Sequence, residues 1–140
     1  MNREEIMTIL PHRDAMLLLD SAELKEDGSA YGEYRVRGDE WFLRGHFPGN
    51  PVVPGVVQCE IIAQASCTLL KDAMQGCTPY YAGIDKVRFK RPVRPGETLC
   101  VTSTLLRSKL GVYVVAGEAR VNGELCAKGE FTFMLVKNEK

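Results

Sequence analysis

From about Gly55 to Met74 the chain places apolar side chains on nearly every face of a would-be helix and contains no proline. A helix of about 20 residues spans roughly 30 Å, and one that is apolar all round is enclosed rather than laid on a surface. The pattern therefore predicts one central buried helix, stopped by Gly76, Thr78 and Pro79. Before it, Asn2 and Glu5 resemble a capping box that opens a short amphipathic helix running to Leu10. Met16-Leu17-Leu18-Leu19 reads as a buried strand, and Tyr34-Arg35-Val36-Arg37 alternates as a half-exposed strand does, with Asp27-Gly28 as the turn between them.

The second half of the chain is strand-like. Val87-Arg88-Phe89-Lys90 alternates, and Pro92, Pro95 and Gly96 mark a turn. Leu99–Leu106 and Val112–Val121 are rich in β-formers, and Asn122-Gly123 is a strong hairpin signal. In the last strand Leu125, Ala127, Gly129, Phe131, Phe133 and Leu135 occupy alternate positions. One enclosed helix and several consecutive antiparallel strands predict an α+β fold, a sheet curled around the helix, as a single domain over residues 1–140.

Composition narrows the function classes. Eighteen basic and eighteen acidic residues cancel to a formal charge of zero, so no global field draws the protein to nucleic acid or to anionic lipid. The five cysteines are scattered, without a C-x-x-C pair, and read as reduced packing residues rather than metal ligands. The start of the chain carries two acids within five residues and no apolar signal region. The run Val52–Leu70 is interrupted by Pro54, Gln58, Glu60 and Gln64, which favours a buried helix over a membrane span. Together these features predict a soluble, cytoplasmic protein.

Chemistry concentrates in Gly45-His46-Phe47-Pro48-Gly49-Asn50-Pro51-Val52-Val53-Pro54-Gly55-Val56-Val57-Gln58-Cys59-Glu60. One of only two histidines stands in a loop stiffened by Pro48, Pro51 and Pro54, and an imidazole has the range of a general base near neutral pH. Glu60 is the only formally charged residue between Gly45 and Leu70. On an enclosed helix desolvation raises a carboxyl's pKa, which makes Glu60 a candidate general acid. Gln64 lies one turn later, in reach of that carboxyl. Gly55, at the helix start, lets a carbonyl oxygen approach unpartnered backbone N–H groups. A base, an acid and a carbonyl-polarising helix end suit proton abstraction beside a thioester with loss of a β-hydroxyl group, a dehydration that needs no metal. The residues alone leave other readings open: a histidine beside glycine and proline can be a structural part of its loop, and His12, between Pro11 and Arg13, reads as structural.

His46-Phe47-Pro48-Gly49, Pro51-Val52 and Pro54-Gly55-Val56, followed by Glu60 and Ala63-Gln64, closely resemble the signature of the β-hydroxyacyl-acyl-carrier-protein dehydratases of FabZ type. Leu10-Pro11-His12-Arg13 with Leu18-Leu19-Asp20, and the run Gly83 to Val93 with Pro95-Gly96-Glu97, resemble the family's segments on either side. The resemblance implies the hot-dog fold. It makes His46 and Glu60 the catalytic pair and puts Gly55 at the thioester carbonyl. It also implies a homodimer in which one chain's histidine works with its partner's glutamate, and dimers that assemble as trimers of dimers. The implied reaction takes a (3R)-3-hydroxyacyl chain on acyl carrier protein to the trans-2-enoyl product in fatty acid biosynthesis, without a soluble cofactor.

Acyl carrier proteins are acidic, so Lys86, Arg88, Lys90, Arg91 and Arg94 form a candidate docking surface; an ordinary solvated strand face is the other reading. Phe47, Val56 and Phe89 are candidate tunnel residues, or plain core. One departure stands out: after Leu-Pro-His-Arg the family usually has an aromatic residue or proline and then an apolar residue, where this chain has Asp14-Ala15-Met16. Rival readings are a dehydratase that also isomerises the double bond, whose group typically carries aspartate at the position of Glu60, a thioesterase on the same fold, and a non-catalytic acyl-binding subunit.

Overall fold

The computed structural model describes residues 1–139. Six antiparallel strands, β1 (Ser21–Leu24), β2 (Ala30–Arg35), β3 (Cys77–Phe89), β4 (Thr98–Lys109), β5 (Val112–Val121) and β6 (Glu124–Lys137), form one sheet in the order β1-β2-β4-β5-β6-β3. The sheet wraps helix α2 (Gly55–Cys67), which packs on β2, β4, β5 and β6. This is the hot-dog arrangement. A single-turn helix, α1 (Arg3–Ile6), lies near β1.

Helix and sheet meet closely because glycines face the helix. A Cβ on Gly117 would stand 2.5 Å from Ile62 Cγ2, and one on Gly32 would stand 3.0 Å from Ala65 Cβ. Ile61, Ile62 and Ala65 are accordingly sealed from solvent, and the core runs between helix and sheet. The long strands are joined by two-residue turns. Asn122 and Gly123 both have positive φ, and so do Leu110 and Gly111 between β4 and β5, as primed hairpin turns require.

Four expectations from the sequence need correction. α1 is one turn, closed by its capping box (Glu5 N–H to Asn2 Oδ1 at 2.9 Å, Asn2 N–H to Glu5 Oε1 at 3.1 Å), and does not run on as a helix to Leu10. Met16–Leu19 is not a strand: Asp14–Met16 is a 3₁₀ turn, and buried Leu17–Leu19 have no strand neighbour. Side chains satisfy their backbone instead. Arg3 donates to the Leu17 and Leu19 carbonyls at 3.1 and 3.2 Å, and the Leu18 N–H donates to Gln64 Oε1 at 2.8 Å.

The central helix is shorter than its apolar pattern. It passes into a 3₁₀ turn at Thr68–Leu70, with the Thr68 hydroxyl donating to the Ala65 carbonyl at 2.7 Å. Thr78 and Pro79 do not stop it; they belong to β3, which begins ten residues before Val87. Proline is tolerated there because β3 is an edge strand. Among the described residues no helix is long and apolar enough to cross a membrane.

Candidate active site

Glu60 projects from the middle of α2 into a cavity of about 190 Å³ lined with His12, Gln64, Tyr80, Tyr81 and Phe133. Both carboxylate oxygens are engaged. Oε2 accepts from Gln64 Nε2 at 2.9 Å and stands 3.3 Å from His12 Nε2; Oε1 accepts from the Tyr81 hydroxyl at 3.1 Å. Gln64 is itself clamped, donating to the Met16 carbonyl at 2.8 Å while its Oε1 receives the Leu18 N–H. This buried amide ties the N-terminal segment to the helix and so delivers His12 to Glu60. Asp14 assists with a positive φ of 52°, a conformation that aspartate accepts more readily than most residues. The Asp14-Ala15-Met16 departure thus forms the turn that carries Met16 to Gln64.

The expectation of a raised Glu60 pKa is corrected by these bonds. Burial alone pushes the carboxyl upward, but the hydrogen bonds from His12, Gln64 and Tyr81 outweigh it and hold the group below the ordinary glutamate range. Glu60 in the single chain is therefore ionised near neutral pH. His12, which reads as structural from the sequence, stands beside the carboxylate. His12 and Tyr81 are what sequence reasoning missed here. The scarcity of histidine, with both copies in motif-like segments, was the available signal for His12; Tyr81 had none.

His46 lies elsewhere. Its loop is closed by backbone bonds from Val52 N–H to the His46 carbonyl at 2.9 Å and from Asn50 N–H to the Phe47 carbonyl at 2.9 Å. The His46–Phe47 peptide is cis, and the two rings stack at 4.3 Å. His46 Nδ1 is 3.1 Å from the Val52 carbonyl oxygen. Because a carbonyl only accepts, Nδ1 carries the proton and Nε2 keeps its lone pair in the neutral ring.

This imidazole faces an open groove of about 680 Å³ with Pro54, Gly55, Val56, Gln58, Phe89 and Lys90. Gly55 begins α2, where the first N–H groups lack intrahelical acceptors. The Phe89 ring lies against it, so close that a Cβ on Gly55 would stand 2.9 Å from Cζ. Phe47, Val56 and Phe89 are all more than half exposed, not core. His46, Gly55, Val56 and Phe89 thus share one groove, Glu60 and Gln64 share the other cavity, and within one chain the two do not merge.

Of the five cations, Lys86 lines a different groove from Lys90 and Arg91. Lys86 pairs with Glu130 at 3.4 Å and borders a groove on the outer sheet surface, beside a bulge between Asp85 and Arg88. Arg91 is held by Glu97 at 2.5 Å and Glu124 at 3.3 Å, although it lines the His46 groove together with Lys90. The charged side chains of Arg88, Lys90 and Arg94 form no ion pair among the described residues, although the Arg94 N–H donates to Glu97 Oε1 at 2.8 Å. No cluster of three metal-binding side chains occurs among the described residues.

Comparison with known proteins places these features in a lineage. A family model for the FabA-like domain matches residues 10–130. The 3-hydroxyacyl-[acyl-carrier-protein] dehydratase FabZ of Caldicellulosiruptor bescii is 42% identical over 137 residues, covering 96% of this chain and 98% of that protein. The dehydratase of the same name from Enterococcus faecalis is 42% identical over 134 residues, covering 94% and 95%. Among solved structures, the dehydratase heterocomplex ApeI:P of Xenorhabdus doucetiae superposes with a TM-score of 0.79 over 96% of this chain and 91% of that one, at 21% identity. A putative thioesterase of Ralstonia eutropha superposes with a TM-score of 0.64 at 24% identity, over 84% and 83%. These two show a shared fold and nothing finer. With relatives above 40% identity along nearly their whole length, the chain belongs to the FabA-like family, among its FabZ-type 3-hydroxyacyl-[acyl-carrier-protein] dehydratases.

Proposed function

We propose that the protein removes water from (3R)-3-hydroxyacyl chains carried on acyl carrier protein, giving the trans-2-enoyl thioester in cytoplasmic fatty acid biosynthesis. What carries this reading is the full-length similarity to FabZ-type dehydratases together with the intact His46 and Glu60. In this reading His46 Nε2, left with its lone pair by the Nδ1 bond to Val52, takes the α-proton. The N–H at Gly55 receives the negative charge that grows on the thioester oxygen. Glu60 gives its proton to the departing β-hydroxyl, which leaves as water. Since the carboxyl titrates low in the single chain, the reactive protonation state is a minority one. No metal or soluble cofactor takes part.

The catalytic pair is assembled from two chains. Supporting this, the groove of His46 and the cavity of Glu60 are separate within one chain. β3 is a long edge strand carrying half-exposed Tyr80, Ile84 and Phe89, and exposed Phe47 and Val56 are apolar too. An unpaired apolar edge of this length is a surface that proteins normally cover. A second copy of β3 would cover it symmetrically, and three such dimers would make the hexamer. Lys90, which lines the His46 groove, with Arg88 and Arg94 nearby in sequence, would meet the acidic carrier, while Lys86 and Arg91 pair with glutamates.

The test is turnover of 3-hydroxyacyl-acyl-carrier-protein of several chain lengths, with the product identified by mass and double-bond position. The expected product has lost one water and carries its double bond at carbon 2, and His46→Ala and Glu60→Gln abolish its formation while remaining folded. Release of free thiol would make the protein a thioesterase. A double bond at carbon 3 would make it an isomerising dehydratase. Binding without turnover would leave it an acyl-binding subunit.

A further inference from the structure

Resting on that reading, we propose that Tyr81 is a positioning residue of the reaction: its hydroxyl fixes Glu60 Oε1 as the oxygen that faces the departing hydroxyl group. The two carboxylate oxygens are not equivalent. Oε2 meets both Gln64 at 2.9 Å and His12 at 3.3 Å, whereas among the described residues Oε1 meets only Tyr81 at 3.1 Å. One direction on Oε1 thus stays open for a reactant. The Tyr81 bond sets which way it points.

The fold directs Tyr81 to this place. Tyr81 pairs with Phe133 in the β3–β6 ladder, and the rings pack at 5.5 Å. Immediately after it, between Tyr81 and Gly83, the ladder shifts register, the kind of bulge that re-aims side chains beside active sites. Burial and the charge on Glu60 push the phenol well above its ordinary range, so it remains a hydroxyl donor at every working pH. Around Glu60 the other titratable neighbours are His12 from the N-terminal segment, Tyr80 from β3, and Cys59 and Cys67 from its own helix.

Two readouts of Tyr81→Phe test this, after circular dichroism confirms the fold. The first is the titration of Glu60 followed by carbon NMR of labelled glutamate. The second is the pH profile of turnover. Loss of the hydroxyl removes one influence that lowers Glu60, so its titration moves up. The acidic limb of kcat/KM moves up with it, because a carboxyl held below the carboxylate range titrates below an imidazole and governs that limb. We expect kcat to fall roughly tenfold with KM within about twofold, as for a misdirected catalytic group.

An unmoved Glu60 titration in Tyr81→Phe would overturn the proposal whatever the activity. A moved titration with unchanged kcat would reduce Tyr81 to an electrostatic neighbour and also overturn it. Wild-type protein inert toward every 3-hydroxyacyl thioester would remove the underlying dehydratase reading and the proposal with it. That failure shows in the wild type alone, so the two are distinguishable.

Discussion

His12 Nε2 stands 3.3 Å from Glu60 Oε2, joining a segment near the start of the chain to the centre of the helix. Removing that contact relieves one of the interactions that hold Glu60 low. His12→Ala is expected to reduce kcat roughly ten- to hundredfold by loosening the carboxylate. The stability effect depends on pH. A depressed carboxyl contributes stability above its unfolded value, and the contribution is lost as pH falls through the lower folded value. The gap in unfolding free energy between wild type and His12→Ala is therefore widest near neutrality and closes in acid. Denaturant titrations across that range measure it.

Gly55 tests the helix N-terminus. A methyl group there meets the Phe89 ring at 2.9 Å, but that ring is half exposed and can swing aside. Gly55→Ala is expected to leave the unfolding midpoint nearly unchanged while lowering kcat/KM at least roughly tenfold, since the methyl obstructs approach to the N–H groups. Equal losses of stability and activity would mean that the glycine serves packing alone.

Gly117 tests the seam between sheet and helix. Its Cβ would stand 2.5 Å from buried Ile62, whose surroundings leave little room to yield. Gly117→Ala is expected to destabilise the protein by about 1–3 kcal/mol. Gly83→Ala, where the nearest atom is 3.7 Å away, serves as the control in the same urea titration.

Docking separates the cations. Lys90→Glu and Arg88→Glu are expected to raise KM for the carrier-bound substrate several-fold, with the effect fading at high salt. A short pantetheine thioester, which lacks the carrier's acidic surface, shows no such change. Lys86→Glu, whose side chain already pairs with Glu130, leaves both values near wild type.

Much of this fold was legible because its signals are local. Alternation from Leu125 to Leu135 and the Asn122-Gly123 turn mark β5 and β6 directly, and the apolar run after Gly55 marks the enclosed helix. What stayed hidden depends on contacts distant in sequence. Met16–Leu19 looks like a strand because it is apolar throughout and Leu17–Leu19 are buried, yet its hydrogen bonds go to Arg3 and Gln64. Burial likewise predicts a raised Glu60, and the opposite follows from His12 and Tyr81, residues 48 positions before it and 21 after it. The scarcity of histidine hinted at His12, but no pattern along the chain announces the Tyr81 bond.

The central claim is that His46 of one chain and Glu60 of another form one site, and hybrid dimers test it most directly. His46→Ala and Glu60→Gln are co-expressed with different tags, and turnover of 3-hydroxyacyl-acyl-carrier-protein is measured. In a shared site each hybrid dimer regains one intact pair, so an equal mixture of the two inactive variants recovers on the order of a quarter of wild-type activity. If hybrids form by mass spectrometry and remain inert, both residues act within one chain and the shared site is wrong.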